Sequence, residues 1–263
     1  PGANPIVPRI EGYDKSHVFT VRNVVDIDKL NRYIKDNNIK DIAVIGGGFI
    51  GVEVAENLQL ANAGYNVTLV EAADQIMAPF DYDMVQILHK EMMDKGVNLI
   101  VGDGIAKVAD EHIELASGKK VPAQAVIMAI GVRPETTLAK EAGLEIGETG
   151  GIKVDHNYLT SDKDIYAVGD AIEVYNKLTH SKSRLALAGP AQRQARAAAD
   201  HMYGIPHRNT GVIGSSCVKI FDMNAASTGL TEKACQKAGI QYDFVYIIPG
   251  DKVGLMPDNS PFH

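Results

Sequence analysis

Gly46, Gly48 and Gly51 stand at the spacing G-x-G-x-x-G within DIAVIGGGFIGVEVAENLQLANAGYNVTLVE, residues 41–71, and Glu71 follows twenty residues after Gly51. Together these residue types do the chemistry of dinucleotide recognition. Gly46 permits a tight turn, Gly48 lets the backbone approach a pyrophosphate, and Gly51 lets a helix pack closely on a strand. An acid at the position of Glu71 accepts hydrogen bonds from adenosine ribose hydroxyls and repels a 2′-phosphate. Downstream of Glu71 the next Lys or Arg is Lys90, too far along the chain to be an obvious phosphate ligand, so NADH is expected over NADPH. A lone G-x-G-x-x-G also occurs in plain glycine turns. Here its flanks carry the reading.

Those flanks are the elements that must position the turn. Ile42, Val44 and Ile45 form an apolar run ending at Gly46, and Phe49 to Leu60 has helical composition. Ile50, Val54, Ala55 and Leu58 are expected to form the face that lies on the sheet. Gly64 ends the helix, and Val67, Leu69 and Val70 lead a second strand to Glu71. The helix N-terminus then meets the phosphates with free N–H groups and the positive end of its dipole.

A second carboxylate draws notice in Tyr166-Ala167-Val168-Gly169-Asp170, within TSDKDIYAVGDA. A buried strand ending in Gly-Asp sets Asp170 at its tip, able to bond a ribityl hydroxyl or reach a flavin pyrophosphate; Gly-Asp is also common in surface turns. Leu185 to Tyr203 begins as a loop and becomes an Ala-rich helix with Pro190 near its first turn. Its dipole suits the pyrimidine side of a reduced flavin, although Ala-rich helices also serve close packing alone. The cysteines, Cys217 and Cys235, form neither a CxxC pair nor a zinc-ligand pattern and are expected to pack. The eight histidines have no paired spacing and read as surface or structural groups.

Composition sets the frame around these sites. A net charge of −7 over 263 residues, with basic residues scattered, argues against nucleic acid as a partner. The longest apolar run, Ala125 to Val132, is far short of a membrane span, and the N-terminus lacks a targeting pattern, so a cytoplasmic protein is expected. In order, the chain offers a Pro- and Gly-rich segment over 1–14, a strand Val18 to Val21, a helix Asp26 to Asn37, then the nucleotide unit. A helix Tyr82 to Lys95 and a strand Val97 to Val101 come next, then short strands at Ile105 to Val108, His112 to Leu115 and Ala125 to Ile130. Gly131 closes this run and would let the backbone pass near a cofactor. Residues 151–170 read as strand, turn, strand; later, strands at Ser216 to Phe221 and Tyr242 to Ile248 flank a helix Thr231 to Ala238.

GGGFIG, Glu71, IMAIGVRPET, IYAVGDA and LALAGPAQRQAR, in this order and spacing, resemble the pyridine nucleotide-disulfide oxidoreductases. Nearest is the branch of coenzyme A-disulfide reductases, NADH oxidases and NADH-dependent persulfide reductases. The resemblance implies an α/β protein. A Rossmann-like nicotinamide domain (15–150) would be inserted in a partial FAD domain (1–14 and 151–208), followed by the start of an α+β dimerisation domain (209–263). It implies FAD and NADH as cofactors, hydride passing to the flavin and on to a disulfide, a persulfide or oxygen, and a homodimer at full length. Phe49 resembles the aromatic gate over the flavin, and Glu53 the glutamate near the nicotinamide and flavin N5. Gly46, Gly48, Phe49, Ile50, Gly51, Glu71 and Gly131 would contact NADH; Gly2, Ala3, Gly169, Asp170, Leu187, Ala188 and Gly189 would line the flavin.

The departures narrow these expectations. The family's first glycine fingerprint and its redox cysteine match nothing in this chain, which is therefore expected to be a piece of a larger enzyme. Leu255-Met256-Pro257 stands where relatives in the disulfide and persulfide branch carry Tyr-Tyr-Pro, which bears against coenzyme A-disulfide as acceptor. An NADH oxidase reducing oxygen, or a dinucleotide-binding module without turnover, stays open as an alternative.

Overall fold

In the computed structural model of the chain, residues 2–61, 63–206 and 211–262 are described. Strand β1 (Ala3–Pro5) leads in and β2 (Val18–Phe19) opens a parallel sheet. Helix α1 (Val24–Asp36), β3 (Asp41–Ile45), α2 (Phe49–Leu60), β4 (Asn66–Val70), α3 (Tyr82–Asp94) and β5 (Asn98–Ile100) follow in strict alternation. The antiparallel strands β6 (Ile105–Val108), β7 (His112–Leu115) and β8 (Lys120–Pro122) make a meander before β9 (Ala125–Met128) returns to the sheet, giving the order β2-β9-β3-β4-β5 with every pair parallel.

Both faces of this sheet are covered, which is why β3, β4 and β9 read as continuous rather than alternating apolar runs. Ile42, Val44, Leu69 and Ile127 face the helices; Ala43, Ile45, Val70, Val126 and Met128 face the meander with Ile113 and Leu115. The helical side is built from Leu30 and Ile34 of α1, Val52 and Ala55 of α2, and Val85, Leu88 and Met92 of α3. Asn23 starts α1 by accepting from the Asp26 N–H at 3.1 Å, the expected side-chain cap.

After β9 the chain crosses as β10 (Val132–Pro134), antiparallel to β1 with Ala3 opposite Pro134. It continues through α4 (Thr137–Glu141), a single 3₁₀ turn at Gly169–Ala171, the hairpin β11 (Val174–Asn176) with β12 (Ser181–Ser183), and α5 (Ala188–Met202). A separate cluster, including Ile152, Tyr158, Ile172, Val174, Ala197 and Ala198, forms the core of this part. The hairpin β13 (Ser215–Ile220) with β14 (Met223–Thr228) is followed by α6 (Glu232–Ala238), the last helix or strand among the described residues.

Three expectations fail here. Residues 151–170 are joined by isolated bridges, such as Leu159 with Tyr166, and Tyr166 to Asp170 is a half-buried segment entering the 3₁₀ turn rather than a buried strand. Tyr242 to Ile248 is irregular, and Phe244, Val245 and Ile247 are exposed. Cys217 is exposed rather than packed, because it lies on the outer face of β13, whose alternate residues Val218 and Ile220 turn inward. The limit between 208 and 209 lies outside the described residues.

Candidate functional site

At the carboxyl end of β3 the chain turns through Gly46, whose φ is +109° and whose added Cβ would strike the Ala129 carbonyl. Gly51 sits in the first turn of α2, and a Cβ there would land on the Gly46 carbonyl oxygen. These two glycines lock helix to strand. Gly48, between them, is exposed and has open space where its Cβ would be, so a ligand can approach its backbone directly. Among the described residues the N–H groups of Gly48, Phe49 and Ile50 have no backbone acceptor, the ordinary state of a helix N-terminus and the one that suits an anion.

Glu71 lies just past β4 with its carboxylate turned to this glycine turn. Oε2 accepts from the Gly47 N–H at 2.6 Å and Oε1 from the Ala73 N–H at 2.8 Å. Each oxygen keeps a further lone pair for a ribose hydroxyl. The floor is the segment 72–80, which no local sequence signal marked: a Cβ on Gly47 would come within 2.6 Å of Ile76 Cγ2, and the Met77 N–H donates to the Gly47 carbonyl at 2.7 Å. Met77 holds this place at φ +51°. Below it the Ile76 N–H donates to His89 Nε2 at 3.2 Å, which fixes the proton on Nδ1; burial pushes the His89 pKa below its ordinary 6.5.

The remaining residues expected at the nicotinamide lie as follows. Gly131, φ +116°, follows the Ala129-Ile130 segment that backs Gly46, and its carbonyl accepts from the Ile6 N–H at 2.9 Å. Phe49 is half-buried against the helical core. Ile50, assigned to the sheet-facing side, is exposed at 39%; Val52 takes the inward place, because Gly51 and Ala55 set the line of contact one residue on. Glu53 is exposed on α2, whereas Glu56, one turn on, is buried and accepts from the Phe221 N–H at 2.8 Å.

On the other side of the β1–β10 crossing lie the residues that the family resemblance assigns to the flavin. Gly2 accepts from the Glu135 N–H at 2.9 Å, Ala3 pairs with Pro134, and β10 in turn touches the Gly169–Ala171 turn. The Gly169 N–H, at φ +79°, donates to Oε1 of buried Gln194 on α5 at 2.7 Å, which ties the Gly169–Ala171 turn to the helix that Leu187, Ala188 and Gly189 begin. Among the described residues the Asp170 carboxylate has no protein partner. The open Gly48 backbone with the unbonded helix N–H groups has the chemistry to take a pyrophosphate, and the partnerless Asp170 carboxylate the chemistry to take a hydroxyl.

A family model described as pyridine nucleotide-disulphide oxidoreductase matches residues 1–195. The chain belongs to that family. It is 38% identical over 234 residues to an NADH oxidase of Methanocaldococcus jannaschii, covering 88% of this chain and 52% of the relative. Among solved structures, reduced Bacillus anthracis CoADR-RHD superposes with a TM-score of 0.94 at 42% identity, over 99% of this chain and 47% of that one. An NAD-dependent persulfide reductase from A. fulgidus superposes with a TM-score of 0.93 at 33% identity, over 99% and 48%. The chain thus spans about half the length of the relatives it matches.

One contact beside the site has no local sequence signal. Lys233 of α6 reaches the segment after Glu71, contacting both Asp74 oxygens at 2.9 and 3.1 Å and Gln75 Oε1 at 2.8 Å. Lys90 is the next Lys or Arg along the chain and too distant to be an obvious phosphate ligand, but tertiary folding brings Lys233 to that loop. Its partners are already a carboxylate and an amide.

Proposed function

We propose that the protein is an FAD-dependent NADH oxidoreductase that passes reducing equivalents to a small disulfide, a persulfide or oxygen. The observation that carries this is the turn at Gly46 to Gly51: two glycines packed too tightly for any side chain, a third open to solvent, and the Glu71 carboxylate held beside them. When bound, the nicotinamide supplies a hydride and the flavin isoalloxazine accepts it. The chain's own residues bind and orient. Gly48, Phe49 and Ile50 present N–H groups to the pyrophosphate, Glu71 accepts from the adenosine ribose, and Asp170 with the Leu187 to Gly189 turn serves the flavin side. Phe49 acts as the aromatic gate, and Glu53 as the carboxylate beside the reacting rings.

The setting we propose is a cytoplasmic homodimer. Both cysteines are free, and the exposed run Phe244, Val245, Ile247 and Ile248, with Leu255 and Met256, is the kind of apolar surface that a second subunit covers. In this reading residues 1–14 and 151–208 serve the flavin, 15–150 the nicotinamide, and 209–263 the dimer contact. Oxygen as acceptor has its own support in the name of the M. jannaschii relative.

The test is a visible spectrum of the purified protein supplied with FAD, followed by anaerobic NADH. A retained flavin band that NADH bleaches is the expected result. A retained band that NADH leaves unchanged counts against hydride transfer, and NADH binding without retained flavin reduces the reading to the nicotinamide site.

A further inference from the structure

We propose that Lys233, from the far end of the chain, is a positioning residue for the adenosine half of NADH. The inference rests on the reading of Glu71 and the glycine turn given above. It starts from what the 72–80 segment does. Through Ala73 it gives Glu71 Oε1 an N–H at 2.8 Å, and through Met77 it gives the Gly47 carbonyl an N–H at 2.7 Å. Both sides of the site therefore depend on one irregular segment. Its outer residues Ala72, Ala73 and Asp74 are exposed while Gln75, Ile76 and Met77 are buried, and Met77 is held at positive φ.

Such a segment keeps its place only if its neighbours fix it. Part of that work is local: Ala73 O accepts from the Gly102 N–H at 2.7 Å, and Gln75 Nε2 donates to the Phe80 carbonyl at 2.9 Å. The rest comes from α6 and the hairpin before it. The Glu232 N–H donates to Asp81 Oδ1 at 2.7 Å, Ser227 Oγ donates to the Pro79 carbonyl at 2.9 Å, and Lys233 Nζ joins Asp74 to Gln75. Lys233 also lies 5.5 Å from the Tyr82 ring centroid.

An exposed ion pair with Asp74 alone would contribute little. The Gln75 contact changes the weight, because Gln75 is only 4% exposed and its amide oxygen depends on Lys233. Without the ammonium a nearly buried acceptor loses its partner and the segment samples arrangements that no longer present Ala73 and Met77 correctly. Ordering it is then charged to dinucleotide binding, and apparent affinity falls by the fraction of molecules in the competent arrangement.

Two variants test this: Lys233→Met, which keeps the stem and removes the charge, and Lys233→Arg. NADH and reduced nicotinamide mononucleotide, which lacks the adenosine half, are titrated against each, and amide hydrogen exchange is followed at Ala73 and Met77. K233M is expected to bind NADH roughly fivefold to tenfold more weakly, to bind the mononucleotide unchanged, and to exchange faster at both amides; K233R restores most of the loss. Unchanged NADH affinity in K233M overturns the proposal, and so does an equal loss for NADH and the mononucleotide, which would mean general disruption. A wild-type protein that binds no NADH sinks the underlying reading as well, and that result needs no variant.

Discussion

Gly48 and Gly51 are three residues apart and answer to different forces. At Gly51 a methyl group has nowhere to go, since the Gly46 carbonyl, a backbone group that cannot swing aside as a side chain would, already occupies the space. Gly51→Ala should therefore destabilise the protein by about 3 kcal/mol, the upper part of the range for overpacking, as read from denaturant midpoints. Gly48 has ordinary φ and open space, so Gly48→Ala should leave stability within about 0.5 kcal/mol of wild type. NADH affinity should nevertheless fall by about tenfold or more in that variant, because the added carbon would stand where the proposed binding mode brings the pyrophosphate to the backbone. Equal stability losses for the two variants would refute this division of labour. In the proposed function Glu71 sets the choice of dinucleotide. Replacing it by Ala or Arg removes a charged acceptor of about 1.5–3 kcal/mol and the repulsion of a 2′-phosphate, so NADH should lose about tenfold or more relative to NADPH. The ratio is the proper readout, since loss of the Gly47 and Ala73 bonds weakens both ligands together.

Among the elements, α3 does more than cover the sheet. His89 lies on its buried face and accepts from the Ile76 N–H, a role open only to the neutral ring. Its folded pKa lies below 6.5, so in mild acid the unfolded chain takes up the proton first. By linkage its contribution is intact above pH 6.5 and stability declines as pH falls from there toward the lowered folded value. His89→Asn should be less stable at pH 7.5 and should lose that part of the pH slope, measured as denaturant midpoints at several pH values; a slope identical to wild type would exclude His89 as its source. The elements also separate what was legible from what was not. The helix Phe49–Leu60 and the strands Ile105–Val108 and His112–Leu115 match their sequence readings because local pattern and tertiary burial agree there. At Tyr242 to Ile248 β-branched and aromatic composition points to a strand, yet composition alone is a weak strand signal that packing context overrides, and the segment stays irregular. Strand β14 is the reverse case: MNAAST is a poor strand sequence, formed because β13 beside it buries Val218 and Ile220. The glycine turn and Glu71 were legible because their spacing is local; the 72–80 floor and Lys233 were not, since long-range contacts define them.

At the scale of the molecule the chain enters the parallel sheet through β1 and leaves it through β10, and these two short strands pair at a single joint. The G-x-G-x-x-G unit is legible from sequence, but this joint is not, because each strand is only three residues long and neither has an alternating pattern. Glu135, one residue past β10, clasps it. Its carboxylate accepts from the Thr137 hydroxyl and from the Thr137 N–H at 2.8 Å, and from the Asn4 side-chain amide of β1. Those bonds favour the charged form and, with the Thr137 hydroxyl foremost, draw the Glu135 pKa down to about 2 from 4.5. A depressed carboxylate contributes its full stabilisation above the unfolded value and loses it as pH falls through the folded one. Glu135→Gln should therefore be less stable than wild type at pH 7, with the gap holding down to about 4.5 and closing as pH approaches about 2. Denaturant midpoints of both proteins between pH 7 and pH 2.5 measure that gap. Limited proteolysis at neutral pH should cut E135Q sooner between residues 5 and 18, because a looser joint frees the β1 end before either core opens. A gap of constant size across the whole pH range would mean that Glu135 acts through packing alone and that the joint is held by its backbone pairing.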